Sequence, residues 1–129
     1  MIGLDTNVLV RYLTQDNPAQ AARATRLIEN ELSERQPGYI SLVVLVETCW
    51  VLKRLYGATP VELGTTVRDL LDTRQLAVEN RVAVARALAS FGAGDLADGL
   101  IVEVAREVGC TRVVTFDRKA TKVGMELLA

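Results

Sequence analysis

The stretch Met1-Ile2-Gly3-Leu4-Asp5-Thr6-Asn7-Val8-Leu9-Val10-Arg11-Tyr12-Leu13 decides how the rest of the chain reads. Its first four residues are an apolar run without polar alternation, the pattern of a strand covered on both faces, and Asp5 ends that run. Val8, Leu9, Tyr12 and Leu13 then recur at helical spacing. A buried strand passing into a helix through one acidic residue is a unit of a parallel α/β fold.

The same alternation continues downstream. Asp16-Asn17-Pro18 is a helix-start signal, and Ala19 to Leu32 suits a long surface helix. Gln36-Pro37-Gly38 breaks it, and Tyr39 to Leu42 is a second short strand. Val43 to Tyr56 is expected to be a buried helix capped by Ser41 and closed by Gly57. Thr59-Pro60 opens a helix to about Leu71, Gln75 to Glu79 gives a weaker strand, and a helix to about Ser90 precedes the loop Phe91-Gly92-Ala93-Gly94. Asp95 starts a helix in which Leu96, Leu100, Ile101, Val104 and Val108 oppose Glu103, Arg106 and Glu107, and Gly109 stops it. Arg112 to Phe116 is a strand followed by Asp117, and Lys122 to Leu128 is a final edge strand. The expected architecture is a three-layer α/β/α sandwich with a mostly parallel central sheet, one domain over residues 1–129.

Composition narrows the chemistry. With 129 residues, 50% hydrophobic and 24% charged, the chain has the balance of a globular domain. At 14.1 kDa its folded surface should be roughly 6,700 Å². Apolar runs such as Leu42 to Val46 are too short to cross a bilayer, and the opening residues carry no secretory pattern, so a cytoplasmic address is expected. Cys49 and Cys110 form no Cys-x-x-Cys pair and are expected to be buried thiols. The chain has no histidine, which removes Ser-His-Asp and Cys-His nucleophiles and most zinc sites.

Most of the sixteen acids, such as Glu29, Glu31, Glu34, Glu62 and Glu103, fall on polar helix faces. Five do not: Asp5, Glu47, Asp95, Asp98 and Asp117 sit at strand-to-helix junctions or on apolar stripes. In an open parallel sheet those junctions share the carboxyl edge, where such folds bind ligands, so the five are expected to line one crevice. Asp95 and Asp98 lie at i and i+3 of one helix turn. Each aspartate also has a local explanation, since Asp5 and Asp95 are good N-caps, Asp98 favours the helix dipole and Asp117 suits a turn. Glu47 has apolar neighbours at three and four residues and is expected to face the core side, with Arg54 as its nearest partner along the helix.

Two carboxylates about 4 Å apart repel by roughly 4 kcal/mol at an effective dielectric near 20, so a shared crevice needs protonation or a cation. An oxygen-only donor set calls for a hard ion, Mg²⁺ or Mn²⁺, and such a site suits phosphoryl chemistry by metal-activated water. Setting the five acids aside leaves eleven acids against fifteen bases, a net of +4, around an acidic pit. Arg11, Arg118 and Lys119 lie near the candidate acids in sequence and are the phosphate-contact candidates.

Taken together, Ile2-Gly3-Leu4-Asp5-Thr6-Asn7, Val44-Leu45-Val46-Glu47, Asp95-Leu96-Ala97-Asp98 and Thr115-Phe116-Asp117 resemble the PIN-domain family, and in particular its VapC-type toxins, over nearly the whole chain. The resemblance implies a metal-dependent endoribonuclease with Asp5, Glu47, Asp98 and Asp117 as its acidic quartet and Asp95 as an additional acid. It also makes Thr6, Asn7 and Thr115 supporting polar positions; by their chemistry Asn7 and Thr115 orient carboxylates or water, or else serve as local cap and turn groups. It further implies an RNA substrate, a homodimer and a cognate antitoxin. An aspartate-based phosphotransfer domain (receiver or haloacid-dehalogenase-like) and a non-catalytic interaction module are the competing readings. Asn7 stands where the phosphatase pattern wants a second acid.

Overall fold

The computed structural model describes residues 1–90 and 95–128, so the expected loop at residues 91–94 lies outside the described residues. Strand β1 (Ile2–Gly3) leads through Asp5 into helix α1 (Thr6–Thr14), which ends with Gln15 in the left-handed region at φ 57°. Helix α2 (Pro18–Arg26) begins as its sequence dictates, with Pro18 in the first turn and the Asn17 side chain accepting the Gln20 N–H. It continues into a π-helical turn, Leu27–Glu31, so the expected long helix changes pitch before it stops.

Strand β2 (Gly38–Ile40) is followed by α3 (Leu42–Tyr56), capped by Ser41 and closed by Gly57 at φ 67°, a conformation that costs glycine little. A capping box between Thr59 and Glu62 starts α4 (Pro60–Asp72). Then come β3 (Leu76–Val78), α5 (Arg81–Ser90), α6 (Leu96–Glu107) and β4 (Val114–Thr115), and a 3₁₀ segment, Arg118–Val123, precedes β5 (Glu126–Leu127).

The class is α/β/α, with every strand pairing parallel. The strands nevertheless divide into two sheets, β1-β2-β3 and β4-β5. Strands β1, β2 and β3 run in register, Ile2 opposite Gly38 and Gly38 opposite Leu76, so their carboxyl ends share one edge. The strands are also shorter than expected, two or three residues each.

Apolar packing follows the same division. A main core gathers Leu9, Ile28, Ile40, Leu45, Val67, Val84 and Leu96, all nearly inaccessible. A smaller cluster of Val102, Ala120, Val123 and Met125 holds the C-terminal segment on α6. Gly99 allows α5 and α6 to approach, since a Cβ there would lie 3.3 Å from Ala87 Cβ. The accessible surface is 7900 Å², above the value expected from mass.

Several burial expectations are corrected. Helix α3 is not buried all round: Val43 is 77% exposed, Trp50 57% and Leu55 70%. Ile101 on α6 and Val108 just past its last turn are likewise exposed, because that helix turns only part of its apolar stripe toward α5. Conversely, Glu103 is buried rather than on a polar face, and Arg106 pairs with it at 3.1 Å. Cys49 is buried but Cys110 is exposed beyond the end of α6. Among the described residues no helix is long and apolar enough to cross a membrane.

Candidate active site

Asp5 occupies the N-cap position of α1 with extended backbone, yet its side chain makes no cap hydrogen bond. Its carboxylate therefore stands at the carboxyl end of β1 uncommitted to the helix it opens. The next residue, buried Thr6, donates its hydroxyl to Glu47 Oε1 in a short hydrogen bond. That bond ties α3 to the start of α1 and brings the Glu47 side chain to the residue beside Asp5. Glu47 itself is exposed, not turned into the core, and its partner is Thr6 rather than Arg54. Arg54 instead lies over the Trp50 ring, 5.6 Å from its centroid.

A second group of acids forms around the start of α6. Asp95 caps that helix, its Oδ1 accepting the Ala97 N–H at 2.8 Å, while Oδ2 lies 3.8 Å from Lys53 Nζ on α3. Half-buried Asp98 has its carboxyl pushed above the ordinary range by burial, then by the negative charges of Asp95 and Asp117, with Lys53 partly offsetting them. Burial, with a contribution from Asp95, pushes the Cys49 thiol up to about 12, so this cysteine is an inert neighbour of the site. Asp117 follows β4 and accepts the Lys119 N–H at 2.9 Å, and its own N–H donates to Thr115 Oγ1 at 3.0 Å. Thr115 thus fixes the turn that carries Asp117.

Thr6 thus links Glu47 to the residue beside Asp5, and Asp98 lies within charge range of Asp95 and Asp117. Among the described residues no three Asp, Glu or Cys side chains draw close enough to ligate one ion by themselves. The repulsion felt by Asp98 acts over a longer range than coordination. The residues still fit a hard cation, since Mg²⁺ takes one or two carboxylates directly and keeps several waters, the uncapped Asp5 is an oxygen donor at the strand end, and the charge crowded at Asp98 favours a cation.

Of the phosphate-contact candidates, Arg118 and Lys119 are exposed just after Asp117. Arg11 is instead committed elsewhere, to Asp16 at 3.2 Å and Gln20 at 2.8 Å, because α2 folds back on α1. Asn7 is exposed on the first turn of α1. Two residues escaped the sequence reading. Glu79 ends β3 at the same sheet edge and accepts the Leu42 N–H at 2.8 Å, so the junction rule that singled out Asp5 also covers it, but its carboxylate serves α3. Lys53 carries no signal in its own helix.

An apolar hollow of about 530 Å³ adjoins Glu47, lined by Leu42, Val43, Val46 and Trp50. No curated protein matches the chain. Residues 2–125 match the family model described as PIN domain. With so nearly full a match, the chain belongs to the PIN domain family, whose members are generally metal-dependent nucleases.

Proposed function

We propose that this protein is a Mg²⁺- or Mn²⁺-dependent endoribonuclease, the toxin of a VapC-type toxin–antitoxin pair acting in the cytoplasm. The observation that carries the reading is Asp5, an acid at a strand's carboxyl end whose side chain leaves its own helix uncapped, while the next residue, Thr6, holds Glu47. A carboxylate that declines its local partner is free for a ligand.

A bound divalent ion would supply charge neutralisation at the scissile phosphate and an activated water. Asp5 and Glu47 would hold it from one side, with Thr6 keeping Glu47 in a fixed rotamer. Asp98 and Asp117 are the remaining acids of the quartet, and the charge crowding at Asp98 is the local cause that favours a cation there. Arg118 and Lys119 would meet backbone phosphates of the RNA.

The exposed apolar residues of α3 support a protein partner as well, a second copy of this chain or an antitoxin segment, because Val43 and Trp50 together exceed what isolated surface hydrophobics explain. RNA cleavage is the test of the catalytic reading. Asp5→Asn and Asp98→Asn should each lower Mn²⁺-dependent cutting of single-stranded RNA by at least about 100-fold while keeping the wild-type circular dichroism. Undiminished turnover in excess chelator, or wild-type turnover by both variants, would overturn it.

A further inference from the structure

We infer that Lys53 is a tethered counter-ion of the acidic site, held over the acids by Asp95 in the metal-free protein and released when a divalent cation binds. The inference rests on the nuclease reading above and gives Asp95 a role different from that of a metal ligand.

Asp95 is the anchor. Its Oδ1 is fixed by the Ala97 N–H at 2.8 Å, so the carboxylate has a set orientation and presents Oδ2 outward. Lys53 Nζ lies 3.8 Å from that oxygen, within ion-pair range but longer than a hydrogen bond. The lysine side chain is 62% exposed and the aspartate side chain 50%, so the pair is solvated and loosely held. An ammonium on a four-carbon stem can leave such a position by rotating about its own bonds. The charge it carries reaches past Asp95, because Lys53 is the basic group acting on Asp98 against the combined charges of Asp95 and Asp117.

Neutralisation therefore comes from the chain itself until an ion arrives. With both oxygens of Asp95 engaged, by its own helix and by Lys53, the oxygens left for an ion are those of Asp98 and Asp5, the second oxygen of Asp117, whose Oδ1 accepts the Lys119 N–H, and the second of Glu47, whose Oε1 accepts the Thr6 hydroxyl. A divalent ion settling among them meets repulsion from a single positive charge close by. Removing that charge should make the ion bind more tightly, the reverse of what loss of an ordinary site residue does.

Melting midpoints across a Mn²⁺ titration at low ionic strength test the idea, because they read binding directly through mass action and need no turnover. Lys53→Met should reach its half-maximal shift at a Mn²⁺ concentration roughly three- to tenfold lower than wild type, the size expected for a unit charge near a divalent ion at the surface. Lys53→Arg, which keeps the charge, should titrate like wild type. An unchanged or higher Mn²⁺ requirement for Lys53→Met, in a series where Asp98→Asn abolishes the shift, would overturn the counter-ion and leave the nuclease reading standing. Absence of any Mn²⁺-induced shift in the wild type would overturn both.

Discussion

Asp98 shows how a half-buried charge among like charges costs stability. Burial and the charges of Asp95 and Asp117 raise its pKa in the folded state above the unfolded value of 3.8. A carboxyl shifted upward binds its proton more tightly when folded, so it favours folding while protonated and that benefit is lost as pH rises through the shifted value. The metal-free protein should accordingly lose stability across the carboxylate range, and Asp98→Asn should melt above wild type at neutral pH, with the gap closing as acid is added. A variant that melts below wild type at neutral pH would contradict the charge argument. Aspartates of this kind were open to sequence reading because a junction position and a first-turn position are local facts. Glu47 was expected to face the core and is exposed instead, since its apolar neighbours Val43 and Trp50 look the same in sequence whether they enter a core or face outward.

Helix boundaries followed from short-range chemistry and were largely anticipated. Ser41, Thr59 with Glu62, and Asp95 each cap a helix through a side chain two or three residues from the amide it binds. Sheet pairing was not anticipated in full. Strands of two residues carry almost no pattern of their own, and whether β4 joins β1 or β5 depends on contacts across the whole fold. Packing between helices adds a constraint that sequence alone hides at Gly99. There α6 lies so close to α5 that a Cβ would stand 3.3 Å from Ala87 Cβ and 3.6 Å from its carbonyl oxygen. Gly99→Val should cost about 1–3 kcal/mol through overpacking, offset only in part by better helix propensity, and denaturant melts will measure it. A stability gain would mean the two helices separate freely.

Across the molecule, buried apolar residues fall into a large core and a small cluster under the C-terminal segment. Four buried side chains secure that segment, and its strands bond through few amides, Glu126 N–H to Val113 and Leu128 N–H to Thr115. Opening it exposes little apolar surface, so it should unlock at lower free energy than the main sheet. Hydrogen exchange is expected to run at least about tenfold faster at Glu126 and Leu128 than at Gly38 and Leu4, whose amides bond Gln75 and Tyr39. Equal protection would show one cooperative unit. The same arrangement makes Asp117 a passenger of the weaker cluster, while Asp5 and Glu47 ride on the stronger one. Mild warming would thus loosen the footing of Asp117 while Asp5 and Glu47 keep theirs, with Val123 and Met125 among the side chains that hold it down.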